Sequence, residues 1–179
     1  HPVFKYQLPL LQKFLTGGEE ISLFPLDATL DWPGLPQSAT GQTALFTGKN
    51  PLPAVKRHIS GFPGPTLVKI IKEHSIFLQL RRMGKRATFA NAYTRSLNSP
   101  GDLKRASVTT HAVSAASLPF RTLKDLRNGE AVYQDFTNID LIKRGFDLPV
   151  WNGEEAGENL ARIAKGYDFT LFEFFQTDL

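Results

Sequence analysis

The chain contains no cysteine. That absence removes disulfide bridges, thiolate metal sites and cysteine nucleophiles together. A metal would have to be held by carboxylate, imidazole or hydroxyl oxygen instead. Long apolar runs are missing too: none approaches the ~20 residues that span a bilayer, and the first residues lack the basic-then-apolar order of a signal peptide. The expectation is a soluble, cytoplasmic protein with no membrane partner. No internal repeat or low-complexity tract is visible, which excludes a solenoid. Charge of one sign does not dominate, since 21 basic residues stand against 17 acidic ones and leave +4. The densest basic run, Arg81-Arg82-Met83-Gly84-Lys85-Arg86, has no interleaved aromatic residues on which bases would stack. It reads as a solvated helix end, with Gly84 as the stop, and no nucleic-acid partner is expected.

What is present is an ordinary globular composition, 179 residues of which 41% are hydrophobic, enough for one sizeable core. Apolar spacing predicts a short helix over 9–18, a strand over 21–24 and a helix opened by Pro65 with Leu67, Ile70 and Ile71 on one face. Ser75 is expected to cap the next helix, which carries Ile76, Phe77, Leu80 and Met83. A strand over 87–93 follows. Pro51, Pro53, Pro63 and Pro65 stiffen the loop over 50–65. Helix and strand alternate, which predicts an α/β fold with a mostly parallel sheet flanked by helices.

From 98 to 149 the character changes. Ser99-Pro100-Gly101 is a turn, Thr122-Leu123-Lys124-Asp125 has the form of a capping box, and Gly129 and Gly145 stop short helical stretches. This portion is read as an inserted α+β lobe, dividing the chain into a first core part (1–97), the lobe (98–149) and a return to the core (150–179). The return consists of a helix over 154–165 and a mostly apolar strand over 167–175, expected to be buried as parallel sheets require.

The most informative short stretch is LPQSATGQTALFTG, residues 35–48, which carries four hydroxyls and two glycines. It reads as a tight loop entering a helix, with Ser38 or Thr40 near the N-cap and Gly48 as the stop. A hydroxyl at that place faces the positive end of the helix dipole, which suits a phosphate. The plain alternative is that both hydroxyls only cap the helix.

Four separated stretches, residues 26–50, 57–67 (RHISGFPGPTL), 88–94 (TFANAYT) and 167–178 (YDFTLFEFFQTD), together resemble the metal-dependent phosphomutases and phosphatases of the alkaline phosphatase superfamily. The resemblance covers most of the chain. It is nearest to metalloenzyme-domain proteins related to cofactor-independent phosphoglycerate mutase and phosphopentomutase. It implies that Ser38, three residues before the turn glycine Gly41, is the nucleophile, with Thr40, Gly41 and Gln42 supporting the turn. Relatives carry a His where Gln42 stands. It also implies that Ser38 and Asp178 are metal ligands, in a site of two divalent ions (Mn, Zn or Mg) that activate the hydroxyl and clamp the phosphoryl oxygens. The lobe over 98–149 falls where phosphomutase relatives carry a substrate-reading cap.

Arg57, His58, Arg95 and Arg105 are candidates to bind substrate, since guanidinium grips phosphate and carboxylate bidentately. Asn91 is a candidate support for a loop near the site. The implied activity is phosphoryl transfer or phosphomonoester hydrolysis on a phosphorylated small molecule, through a phosphoserine at Ser38 in the intact protein. The resemblance further implies ligands outside the sequence, so the chain is expected to be a fragment that is inactive by itself. Two rivals stand beside this reading: a module that binds a phosphorylated ligand without turnover, and a metal-free hydrolase, the weaker of the two because the turn lacks a Gly-x-Ser-x-Gly elbow.

Overall fold

The computed structural model describes residues 26–95, 97 and 100–177. The helix read over 9–18, the strand read over 21–24 and Asp178 lie outside the described residues.

The first described helix, α1 (Ser38–Thr47), ends where Gly48 takes a left-handed φ of 66° and returns its N–H to the Ala44 carbonyl at 2.9 Å. Its N-cap is Gln37, whose side chain makes no cap bond. The expected capping by Ser38 or Thr40 is therefore corrected: Ser38 is the first helical residue, and both hydroxyls bond elsewhere. Thr40 and Thr43 are fully buried because their hydroxyls bond back along the chain, Thr40 to the Gln37 carbonyl (3.1 Å) and Thr43 to the Ala39 carbonyl (2.6 Å). A short α2 (Leu52–Val55) stops at Lys56, which adopts a left-handed φ of 58°.

Pro65 opens α3 (Pro65–His74), with Leu67 and Ile71 fully buried. Ser75 separates it from α4 (Ile76–Arg82), but does not cap that helix as expected. Its hydroxyl donates instead to the Ala112 carbonyl at 2.7 Å, fastening the α3–α4 junction to α5 (Val108–Ala115). Gly84, at φ 71°, then turns the chain out of α4.

Strand β1 (Ala87–Phe89) pairs in parallel with β4 (Phe169–Leu171), Ala87 opposite Phe169 and Phe89 opposite Leu171. After Ala90 the chain changes partner. Asn91 bridges Val132, and β2 (Ala92–Tyr93) pairs in parallel with β3 (Arg121–Thr122). The strand expected over 87–93 is thus two short strands broken by a switch of neighbour. Parallel pairing with helical connections makes the architecture mixed α/β.

The remaining helices are α6 (Leu123–Arg127), α7 (Ile139–Lys143) and α8 (Gly153–Ala164). The Thr122–Asp125 capping box opens α6, with the Thr122 N–H on Asp125 Oδ2 at 2.6 Å. Asn152 and Glu155 form the same device at α8.

Two apolar clusters hold these elements. Leu67, Ile71, Phe77, Phe89, Val108 and Val113 form one; Leu126, Val132, Leu141, Trp151, Ala156 and Ile163 form the other. Phe77 is fully buried and meets Phe169 edge-on at 5.8 Å, so truncating it to Ala costs about 3–5 kcal/mol.

Two expectations are corrected by this packing. The stretch over 98–149 is not set apart as a lobe, because α5 packs on α1, α3 and α4 inside the first cluster, while β3 and Val132 pair with the 91–93 segment. The change in composition after 98 reflects short helices joined by turns. Nor is the 167–175 segment a buried strand. Only Phe169–Leu171 is extended, all three residues are half-buried, and among the described residues β4 pairs with β1 alone. A strand paired along one side keeps part of its surface in water. Among the described residues no helix is long and apolar enough to cross a membrane.

Candidate functional site

The start of α1 is clasped by the loop over 57–61. The carbonyl of Ile59 accepts from the amides of Ala39 (3.0 Å) and Thr40 (3.3 Å), and its own N–H donates to Thr40 Oγ1 (3.4 Å). Two of the amides that a helix start leaves unsatisfied are therefore occupied by the chain itself. The clasp reduces what this helix end offers an anion to its dipole and the neighbouring side chains.

Ser38 is exposed, and its Oγ accepts a hydrogen bond from the Gly61 N–H at 2.9 Å. An N–H aimed at this oxygen favours negative charge on it, and so does its position at the positive end of the helix. Thr40, two residues on, is fully buried with both hydroxyl functions engaged. Gly41 closes the first helical bond to the Gln37 carbonyl at 2.9 Å, and a Cβ placed on it would meet nothing within 4 Å. Gln42 is half-buried in the next position of the helix.

The clasp also delivers Lys56, Arg57 and His58 to a hollow of about 520 Å³, lined as well by Trp32, Gln37 and Ser60. The left-handed turn at Lys56, a conformation costing about 1–2 kcal/mol for a residue with a Cβ, directs the chain into that path. Trp32 arrives from the other side on a tight turn. Asp27 Oδ1 accepts from the Thr29 N–H (2.9 Å) and hydroxyl (2.6 Å), and Oδ2 accepts from the Asp31 N–H (2.9 Å). These bonds, the Thr29 hydroxyl first, hold the Asp27 carboxyl below its usual pKa. His58 is half-buried, its Nε2 3.4 Å from the Trp32 carbonyl and its Nδ1 without a partner among the described residues.

The structure thus gathers Ser38, Thr40, Gly41, Arg57 and His58 into one neighbourhood. Arg95 is exposed and donates to the Asp102 carbonyl at 3.2 Å, beside a different hollow lined by Tyr93, Phe120 and Lys124. Arg105 is exposed on the following segment. Among the described residues neither is hydrogen-bonded to the 57–61 loop.

A second polar cluster escapes sequence reasoning. Asn91 is buried, and its carboxamide pairs with both backbone groups of Glu173, accepting from the N–H at 2.9 Å and donating to the carbonyl at 2.8 Å. Glu173 Oε1 accepts from the Thr109 hydroxyl at 2.5 Å. Burial pushes the Glu173 carboxyl above its usual pKa, with the Thr109 bond acting the other way. Close by in sequence, Tyr93 bonds Thr110 Oγ1 at 2.9 Å, and burial raises its phenol to about 12. The signal was a single carboxylate inside the apolar run Phe169-Thr-Leu-Phe-Glu-Phe-Phe175. A lone charge there needs a partner.

Among the described residues no group of three or more His, Cys, Asp or Glu is placed to hold a metal ion. Ser38 Oγ has a backbone N–H as its neighbour, and Asp178 lies outside the described residues. The described donors do not by themselves make a two-ion centre, which needs about four to six ligands per ion. No family model, curated protein or solved structure matches the chain.

Proposed function

We propose that the intact protein carries out phosphoryl transfer or phosphomonoester hydrolysis through a phosphoserine at Ser38, on an alkaline phosphatase-like core. The observation that carries this reading is the setting of Ser38: an exposed hydroxyl at the first residue of α1, with the Gly61 N–H on its oxygen and a hollow bearing Lys56 and Arg57 alongside. In the transfer, Ser38 Oγ forms a bond to phosphorus as the bond from phosphorus to the substrate alcohol breaks. The hydroxyl proton leaves Ser38, and the departing alcohol takes up a proton. The Gly61 N–H stabilises charge on Oγ as it develops, and Arg57 and Lys56 attract the phosphate. The two divalent ions implied by the resemblance belong to this proposal, with ligands drawn from beyond the described residues, Asp178 among them.

A second reading is favoured by one observation: among the described residues no carboxylate or imidazole is hydrogen-bonded to Ser38 Oγ to act as its base. The hollow would then bind a phosphorylated ligand without turning it over. The deciding experiment incubates the full-length gene product with manganese and a phosphomonoester, then quenches in acid and maps phosphate by mass spectrometry. Phosphate on Ser38, absent in Ser38→Ala, supports transfer. Ligand binding with no phosphoserine under any divalent ion supports the binding module.

A further inference from the structure

We propose that the hollow beside Ser38 takes a phosphate ester whose alcohol portion is a flat apolar ring, as in an aryl phosphate. This deepens the reading of Ser38 as phosphoryl acceptor and rests on it.

The charge of the hollow selects the anion. Lys56 and Arg57 line it, and among the described residues neither is in an ion pair and no carboxylate lines the hollow. An incoming phosphate meets two cations and no like charge. Size then allows more than phosphate. The hollow is shallow and open to solvent, and its volume of about 520 Å³ leaves room beside a phosphate for an organic remainder.

The lining decides what that remainder is. A sugar or polyol presents several O–H donors, which need acceptors in the wall. Among the described residues the side chains here offer Gln37, Ser60 and the His58 ring, and no carboxylate. Within this largely polar lining, the apolar surface is that of Trp32 and Leu35. Trp32 is half-buried with the Lys56 ammonium 5.6 Å from the centre of its ring, and Leu35 beside it is 79% exposed. A ring laid against Trp32 and Leu35 removes both from water while its phosphate reaches Arg57 and Lys56. The wall is also built in advance: the Asp27 turn fixes the approach to Trp32, whose N–H bonds the Thr29 carbonyl at 3.1 Å.

Calorimetry on the purified chain with phenyl phosphate, glycerol phosphate and inorganic phosphate tests the inference. Phenyl phosphate is expected to bind about tenfold more tightly than glycerol phosphate. Trp32→Ala should bring phenyl phosphate to the level of glycerol phosphate, Trp32→Leu should retain part of the difference, and Arg57→Ala should weaken both esters alike. Circular dichroism of each variant checks that it has folded. Tryptophan fluorescence gives an independent reading, since Trp151 is buried in the second cluster and Trp32→Phe supplies the blank. Quenching by phenyl phosphate should vanish in that variant. Equal binding of the two esters, or selectivity that survives Trp32→Ala, overturns the inference. Ring selectivity without phosphoserine refutes transfer and leaves this inference standing; phosphoserine without ring selectivity refutes this inference alone.

Discussion

The carboxamide of Asn91 holds the backbone of Glu173 at both of its polar groups, 82 residues away along the chain. It substitutes for the ladder bonds that β4 gives up after Leu171, just where β1 passes to its next partner. Asn91→Leu keeps the branched outline but leaves both groups of Glu173 unmatched, and should cost about 2–4 kcal/mol. Urea denaturation measures it; a loss comparable with that of a surface substitution would show that water replaces the carboxamide freely.

Ser38 and Thr40 should separate cleanly in the full-length protein. Ser38→Ala removes one exposed bond and should change stability by no more than about 1 kcal/mol, yet abolish phosphoserine and turnover. Thr40→Ala removes a buried hydroxyl that joins α1 to Ile59, and should cost about 1–3 kcal/mol while phosphoserine still forms. Thermal melts and acid-quench mapping on the two variants decide the matter. A silent Ser38 change beside an inactivating Thr40 change would reverse the assignment.

Gly41 lies one helical turn after Ser38, and space stands open where a side chain would begin. Packing alone gives no reason for glycine in the helix. Gly41→Ala should therefore raise stability by about 0.5–1 kcal/mol. Where the ester lies against that face, the added methyl should weaken its binding at the same time. Paired melts and calorimetry look for these opposite signs, and tighter binding in the variant would place the ligand elsewhere.

Glu173 should give the protein a measurable pH dependence. Its folded pKa is raised chiefly by burial, so the folded state holds this proton more firmly than the unfolded state does. The stabilising contribution is complete below the ordinary carboxyl pKa and is lost as pH rises through the raised one. Glu173→Gln keeps an acceptor for Thr109 without the charge. It should melt above the native protein at neutral pH, with the difference shrinking toward acid. A difference that grew toward acid would contradict the assigned cause.

Local chemistry made the helix limits legible. Pro65 opens α3, Gly48 and Gly84 end α1 and α4, and Thr122 with Asp125 opens α6, because each device acts between residues no more than a few positions apart. The stretch Ser38–Gly41, expected as a tight loop entering a helix, is instead the first turn of α1. Where a hydroxyl has a choice of partner, the sequence was silent. Ser75 was read as a cap and bonds Ala112, 37 residues on, while Ser38 bonds Gly61, 23 residues on.

The α/β class and the helix punctuation were thus determined by the sequence itself, through periodicity and steric limits that act within one turn of chain. Tertiary structure alone decided that Ile59 closes the start of α1, that Trp32, Lys56 and Arg57 share one hollow, and that α5 joins the first core cluster. It also placed Glu173 between Asn91, which holds its backbone, and Thr109, which donates to its carboxylate. A residue's type limits which bonds it can make, but the partner it meets depends on which distant segments burial of the apolar faces brings alongside.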